Sequence, residues 1–207
     1  MSDNQWTRKK ILAIMMMVLL AFGLTACGGS SSDSASEGTE AQETTAQASE
    51  NDTLVVFFSQ TGHTKSVAEK IASITGADIY EIKAAQEYTE EDLDWNNTDS
   101  RTTHEQNDPS ARPEIGSDPV SLEGYSTIYI GYPIWWGEEP RIMDTFVENY
   151  DFDGITVIPF CTSGSSDIGE SGSNLSSNAG SGNWLDGKRF DGDASEEDIQ
   201  AWIEELQ

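Results

Sequence analysis

The stretch Thr53–Thr64 reads TLVVFFSQTGHT, and its two halves differ in kind. Thr53 to Phe58 is a short continuous apolar run, as expected for a strand buried on both faces. Ser59-Gln60-Thr61-Gly62-His63-Thr64 is a hydroxyl-rich loop with a glycine. Beyond it Val67, Ala68, Ile71, Ala72 and Ile74 recur at helical spacing, with Gly76 as the stop. A buried strand therefore feeds a helix through a loop built to approach something. The helix N-terminus offers free N–H groups and the positive end of a dipole. Ser59, Thr61 and Thr64 add hydroxyls, and Gly62 lets the backbone come close. That combination cradles a phosphate without a lysine. It is not the nucleotide P-loop, whose G-x-x-x-x-G-K-[ST] spacing is missing. Taken alone, the loop fits an ordinary capped turn equally well.

Working outward, Ala77 to Lys83 alternates like a second strand. Thr127 to Tyr132 reads as a third and Ile155 to Phe160 as a fourth, and Trp184 to Phe190 holds a short fifth. A helix is predicted over Arg141 to Tyr150 with Ile142, Met143, Phe146 and Val147 inward. Another follows Ser195, which forms a capping box with Asp198, and turns Ile199, Trp202, Ile203 and Leu206 inward. The Gly/Ser-rich stretch from Thr162 to Gly182 has only Ile168 and Leu175 as large aliphatics, so any helix there is weakly encoded. Ala84 to Pro119 is a long polar excursion with few aliphatics. Its Trp95, Arg101, Glu105 and Arg112 either lid a ligand or form a salt-bridged surface loop. Strands alternating with helices imply an α/β fold, a parallel sheet covered on both faces.

In such a sheet ligands bind beyond the carboxyl ends of the strands. Two further loops leave those ends. Pro133-Ile134-Trp135-Trp136-Gly137 holds adjacent tryptophans, which cannot both face inward in a regular element. One can pack down while the other meets a flat ring; two core tryptophans are the alternative. The loop Thr162-Ser163-Gly164 through Gly169 supplies backbone N–H groups and little bulk, suited to the polar edge of a heterocycle or to a plain linker. Cys161 is expected to be a small buried hydrophobe.

The N-terminus is an address. Arg8, Lys9 and Lys10 precede an apolar run from Ile11 to Leu24, shorter than the roughly 20 residues of a membrane-spanning helix. Leu24-Thr25-Ala26-Cys27 resembles a bacterial lipobox, with Cys27 as the lipidated first residue after cleavage. Residues 1–26 thus read as a signal peptide, and the rest as a protein held outside the cytoplasm on the cell membrane. From Gly28 to Glu50 no large apolar side chain occurs, so residues 27–51 are expected to form a disordered tether and 52–207 the folded domain. Two distant cysteines and two distant histidines, His63 and His104, form no disulfide framework and no metal set. The formal charge of −26 argues against nucleic acid and favours a partner with a basic patch; plain solubility accounts for it equally well.

Together the three loops resemble those of flavodoxin-like proteins over residues 52–207. S-Q-T-G-H-T resembles that family's phosphate loop, [TS]-x-T-G-x-T, with His63 where Asn is common. G-Y-P-I-W-W-G (Gly131 to Gly137) resembles a subfamily of short flavodoxin-like proteins in which this loop borders the isoalloxazine. The resemblance implies an open, doubly wound sheet of order 2-1-3-4-5. It also implies FMN, with its phosphate on Ser59, Gln60, Thr61, Gly62, His63 and Thr64. Pro133, Ile134, Trp135, Trp136 and Gly137 would lie on one side of the ring, and Thr162, Ser163, Gly164 and Gly169 on the other. No D-x-x-[ST]-[GS]-A-[ST] flavinylation signature occurs, so the flavin would be reversibly bound. Three functions fit. One is an electron carrier serving a redox protein or a small-molecule donor or acceptor. The second is an FMN-dependent NAD(P)H or quinone oxidoreductase, although the sequence shows no catalytic base. The third is a flavin-free binding lipoprotein on the same fold.

Overall fold

The computed structural model describes residues 51–206. The expected signal peptide, Cys27 and the greater part of the expected tether lie outside the described residues. Among the described residues no helix is long and apolar enough to cross a membrane.

The sheet is built from β1 (Thr53–Phe58), β2 (Asp78–Ile82), β3 (Thr127–Pro133), β4 (Thr156–Thr162), β5 (Asn183–Trp184) and β6 (Lys188–Phe190). All pairings are parallel, in the order β2-β1-β3-β4-β5, with β6 also on β4. This is the expected 2-1-3-4-5 order. Among the described residues five helices accompany the strands: α1 (His63–Thr75), α2 (Arg101–Asn107), α3 (Arg141–Glu148), α4 (Ser171–Ala179) and α5 (Glu196–Glu205).

Side-chain alternation along the central strands divides the core in two. Leu54, Val56 and Phe58 of β1 join Ile128, Ile130 and Tyr132 of β3 beneath α3 and α4. Val55 and Phe57 join Tyr129, Ile158 and Phe160 beneath α1 and α5. Both faces are dry, which is why these strands read as unbroken apolar runs. Gly131 leaves room for a neighbour: a Cβ there would lie 2.1 Å from Cζ of Phe160.

Three elements depart from the sequence reading. The fifth strand comes in two pieces. Asn183 and Leu185 donate to the carbonyls of Ile155 and Val157, so odd-numbered residues of β4 face this edge. The next odd residue is Pro159, which has no N–H to give, and the register slips by one between the Val157–Trp184 and Phe160–Lys188 pairs. The Gly/Ser stretch contains a helix, α4, anchored by one aliphatic, Leu175, which is fully buried. Polar contacts do the rest: Tyr132 Oη and Ser171 Oγ meet at 3.0 Å, and Gly180 ends the helix. The polar excursion contains one short helix, α2, N-capped by Ser100. The helix after Ser195 forms as expected, with Ser195 Oγ accepting the Asp198 N–H at 3.1 Å and Ile199, Trp202 and Ile203 buried.

Candidate functional site

The order 2-1-3 places a switch in chain direction between β1 and β3, so a crevice opens at their carboxyl ends. The first loop enters it from β1. Gly62 caps α1 with φ 86, a left-handed conformation that glycine adopts without cost. No side chain caps the helix, and its first hydrogen bond runs from Ser66 N to Gly62 O. The N–H groups of the first turn therefore have no intrahelical acceptor. Ser59 Oγ is buried and has no partner among the described residues. Thr64 is buried and shares a 2.8 Å hydrogen bond with Thr162 Oγ1, pinning the first loop to the third. His63 does not line the cleft, and its ring lies where a Cβ on Gly192 would stand.

The second loop is a tight hairpin. Trp135 and Glu138 exchange backbone hydrogen bonds of 2.9 and 3.0 Å. Trp136 (φ 52) and Gly137 (φ 86) fill the turn with two positive φ values, as a type I′ turn requires. Tryptophan is an uncommon residue there, so surrounding contacts must hold it. The paired tryptophans divide. Trp135 packs edge-on to Phe58 and to Tyr88, each at 5.6 Å between ring centroids, while Trp136 is 48% exposed.

The third loop is tied by its own side chain. Ser163 Oγ accepts the N–H groups of Ser165 (3.2 Å) and Ser166 (2.8 Å), and Arg189 donates to the Ser163 carbonyl. Ile134 N donates to Thr162 O at 3.0 Å, joining the second and third loops.

Between the loops lies a cleft of about 560 Å³, a size common for small-molecule sites. Of the residues picked out from sequence, Gln60, Thr61, Thr64, Pro133, Ile134, Trp135 and Trp136 line it. Thr162 sits beneath it, and Gly169 backs onto Gly137 O rather than lining the cleft. From the third loop Ser165 and Ser166 line it, and Ser163 and Gly164 do not. Leu93, Trp95 and Thr102 complete the wall from the polar excursion.

The excursion forms a salt-bridged loop and also lends side chains to the cleft wall. Arg101 pairs with Glu105 at 2.7 Å and lies 4.0 Å over the Tyr88 ring; Arg112 makes two bonds to Glu148. Trp95, 73% exposed, stands on the cleft. Burial and the Glu105 carboxylate hold the Tyr88 phenol well above its ordinary range. Cys161 is fully buried, and burial pushes its thiol up to about 12, so it offers no thiolate.

The residues present fit a flavin mononucleotide. An uncapped helix N-terminus and an unpartnered Ser59 hydroxyl suit an anion, and the cleft beside them combines indole and aliphatic walls with the hydroxyls and amide of Thr61, Thr64, Thr102, Ser165, Ser166 and Gln60.

Comparison with known proteins agrees with this geometry. Residues 52–206 match the family described as Flavodoxin. Among solved structures, the chain is similar to a protein from Bacteroides uniformis ATCC 8492 classed as a flavoprotein. The two share 45% identity with a TM-score of 0.71, over 74% of this chain and 97% of that one. A second such protein, from Bacteroides eggerthii DSM 20697, shares 44% identity over 75% of this chain and 97% of its own, with a TM-score of 0.70. A flavoprotein from Lactobacillus acidophilus NCFM, solved in complex with FMN, shares 25% identity with a TM-score of 0.56, over 73% of this chain and 98% of its own. No curated protein matches the chain.

Proposed function

The chain belongs to the flavodoxin family, and from that premise we propose that it binds FMN reversibly in this cleft and carries electrons outside the cytoplasm, anchored through Cys27. The observation that carries the reading is the cradle at the start of α1, with its open Gly62, uncapped first turn and unpartnered Ser59 hydroxyl beside a cleft walled by tryptophan. The cofactor supplies one- and two-electron chemistry when bound. The chain's own residues do the holding. The first turn of α1, with Ser59 and Thr61, receives the phosphate. Trp135 and Trp136 flank the ring, and Ser165 and Ser166 offer hydroxyls to its polar edge.

Trp95 and Trp136 are exposed on the same cleft, with Glu90, Glu91, Asp94 and Glu138 exposed on the segments that carry them. An aromatic pair in acidic surroundings suits a redox protein with a basic patch. The exposed Trp95 also supports a second reading, in which a planar quinone stacks at the cleft mouth and the protein turns over as an oxidoreductase. Steady oxidation of NADH with a quinone would favour that reading.

FMN titrated into the full-length chain in detergent is expected to show saturable quenching of flavin fluorescence at one FMN per chain. Trp136→Ala weakens binding and leaves stability unchanged within about 0.5 kcal/mol, because its side chain is half exposed. Trp135→Ala lowers both, since that ring packs on Phe58 and Tyr88. Absence of binding in the wild type sinks the carrier and oxidoreductase readings together.

A further inference from the structure

Behind the Trp135–Glu138 hairpin lies a buried polar cluster that lines no part of the cleft. Glu139 and Asp144 are each 1% exposed, and Arg141 is nearly as buried. Arg141 Nη2 donates to Glu138 Oε2 at 2.6 Å and to the Gln106 carbonyl at 3.1 Å. Its Nη1 lies 3.9 Å from Glu139 Oε1 and 3.6 Å from Asp144 Oδ2. From α4 come only neutral amides: Asn174 donates to Glu139 at 3.3 Å and Asn178 to Asp144 at 2.9 Å. Arg112 approaches Asp144 to 3.9 Å but gives its close bonds to Glu148. Tyr132 of β3 faces Glu139 with a phenol that burial keeps protonated.

One buried guanidinium thus serves two buried carboxylates and the partly exposed Glu138. Burial disfavours the charged form of an acid, and a second nearby acid disfavours it further. Glu139 is the least well served: burial, with the Asp144 charge adding to it, pushes its carboxyl up to about 7.

Gln106 of α2 connects this cluster to the hairpin. Its Nε2 donates to the carbonyls of both Trp135 and Glu139, each at 3.2 Å. Gln106 Oε1 and Arg141 Nε are buried without partners among the described residues. Unused buried donors and acceptors are costly, so the cluster as it stands is incompletely satisfied. The turn they support contains a non-glycine residue at positive φ, which persists only while neighbours hold it.

We propose that Gln106, Arg141 and Glu139 form a proton-sensitive clamp that positions the Trp135–Trp136 hairpin, so that flavin affinity depends on pH. The ligand in this inference rests on the flavin reading above; the mechanics of the clamp do not. Proton uptake at Glu139 removes one of the three acids competing for Arg141. The guanidinium then serves Glu138, at the end of the hairpin, and Asp144. Negative charge behind the ring falls as well. Affinity therefore rises as pH falls through neutrality.

Two measurements on the full-length chain in detergent test this between pH 6 and pH 8. In the apoprotein, tryptophan emission is expected to titrate with a midpoint near 7 in wild type and to stay flat in Glu139→Gln. In Gln106→Met, which cuts the link to the hairpin, it is flat as well. In the holoprotein, the ratio of wild-type to Glu139→Gln Kd for FMN is expected to rise about threefold from pH 6 to pH 8, the ratio cancelling titration of the FMN phosphate itself. Emission that titrates alike in all three chains, or a flat Kd ratio while FMN binds, overturns the clamp. If FMN does not bind but the emission transition is lost in both variants, the clamp stands and the flavin reading falls. Should Glu139→Gln fail to fold, an emission titration in Gln106→Met like that of wild type overturns the proposal, and its loss upholds it.

Discussion

Glu139→Gln is expected to raise stability at pH 8 and to change it little at pH 5. The carboxyl is almost inaccessible to solvent, and its environment moves it from an ordinary 4.5 to about 7. That displacement corresponds to about 3 kcal/mol between the ionised and neutral forms. Below pH 4.5 the group is protonated in both the folded and the unfolded chain. Between 4.5 and 7 the unfolded chain has released its proton while the folded chain keeps it, so stability falls as pH rises. Above 7 the loss is complete. Glutamine keeps the shape and an acceptor for Asn174 but has no proton to lose. The variant is therefore expected to gain about 3 kcal/mol over wild type at pH 8 and no more than about 1 kcal/mol at pH 5. Hydrogen bonds and Arg112 hold Asp92, Asp108, Glu148 and Asp151 below their ordinary values. These acids give stability that is lost as pH falls through their folded values, a contribution common to both proteins that cancels in the difference. Urea unfolding followed by circular dichroism at pH 5, 6, 7 and 8 measures it. A wild type equal to or more stable than the variant at pH 8 would mean that Arg141 fully compensates the Glu139 charge, and the burial argument would fail.

Two other substitutions probe the same face of the sheet. Arg141→Met leaves Glu139 and Asp144 without their buried cation and is expected to cost about 3–5 kcal/mol at pH 8, less at pH 5 where Glu139 is neutral, in the same urea experiment. Leu175→Ala removes the only large aliphatic of α4, fully buried, at a cost of about 2–4 kcal/mol; amide exchange along α4 is expected to quicken while β1 stays protected.

Where burial is apolar, the sequence was legible. The runs at Thr53, Thr127 and Ile155 carry enough aliphatic side chains to declare strands buried on both faces, and Ser195 with Asp198 marks a helix start. The buried positions of α3 illustrate the limit. Ile142, Met143, Phe146 and Val147 announce themselves by spacing, whereas Arg141 and Asp144 look like surface charges until Glu139 and Gln106 are seen beside them. A charged residue signals burial only through its partners, and these come from α2, α3, α4 and the segment after the second loop. The helix α4 was faint for the opposite reason: serine, glycine and asparagine have weak helical preference, and the helix exists because Leu175 and amide contacts fix it to its neighbours. At the cleft, hydroxyls and tryptophans following strand ends were visible as chemistry. Leu93 and Thr102 were not, because a residue in a long polar excursion carries no periodicity to say where it folds back. Trp95 could be singled out by type alone, and only the packing of the excursion decides that it faces the cleft.

The broken outer strand has a bearing on how these chains behave when crowded. A long exposed strand edge presents a row of unused N–H and C=O groups on which a neighbouring chain can pair, the first step of sheet-to-sheet aggregation. Here the edge beyond β4 is cut into pieces of two and three residues, with a register slip at Pro159. The longer piece carries Lys188 and Arg189. Neither piece is long or flat enough to template a visiting strand. The missing N–H of Pro159 and the extra residue between Trp184 and Lys188 thus cost one regular strand and leave this edge without a continuous ladder to offer a neighbour.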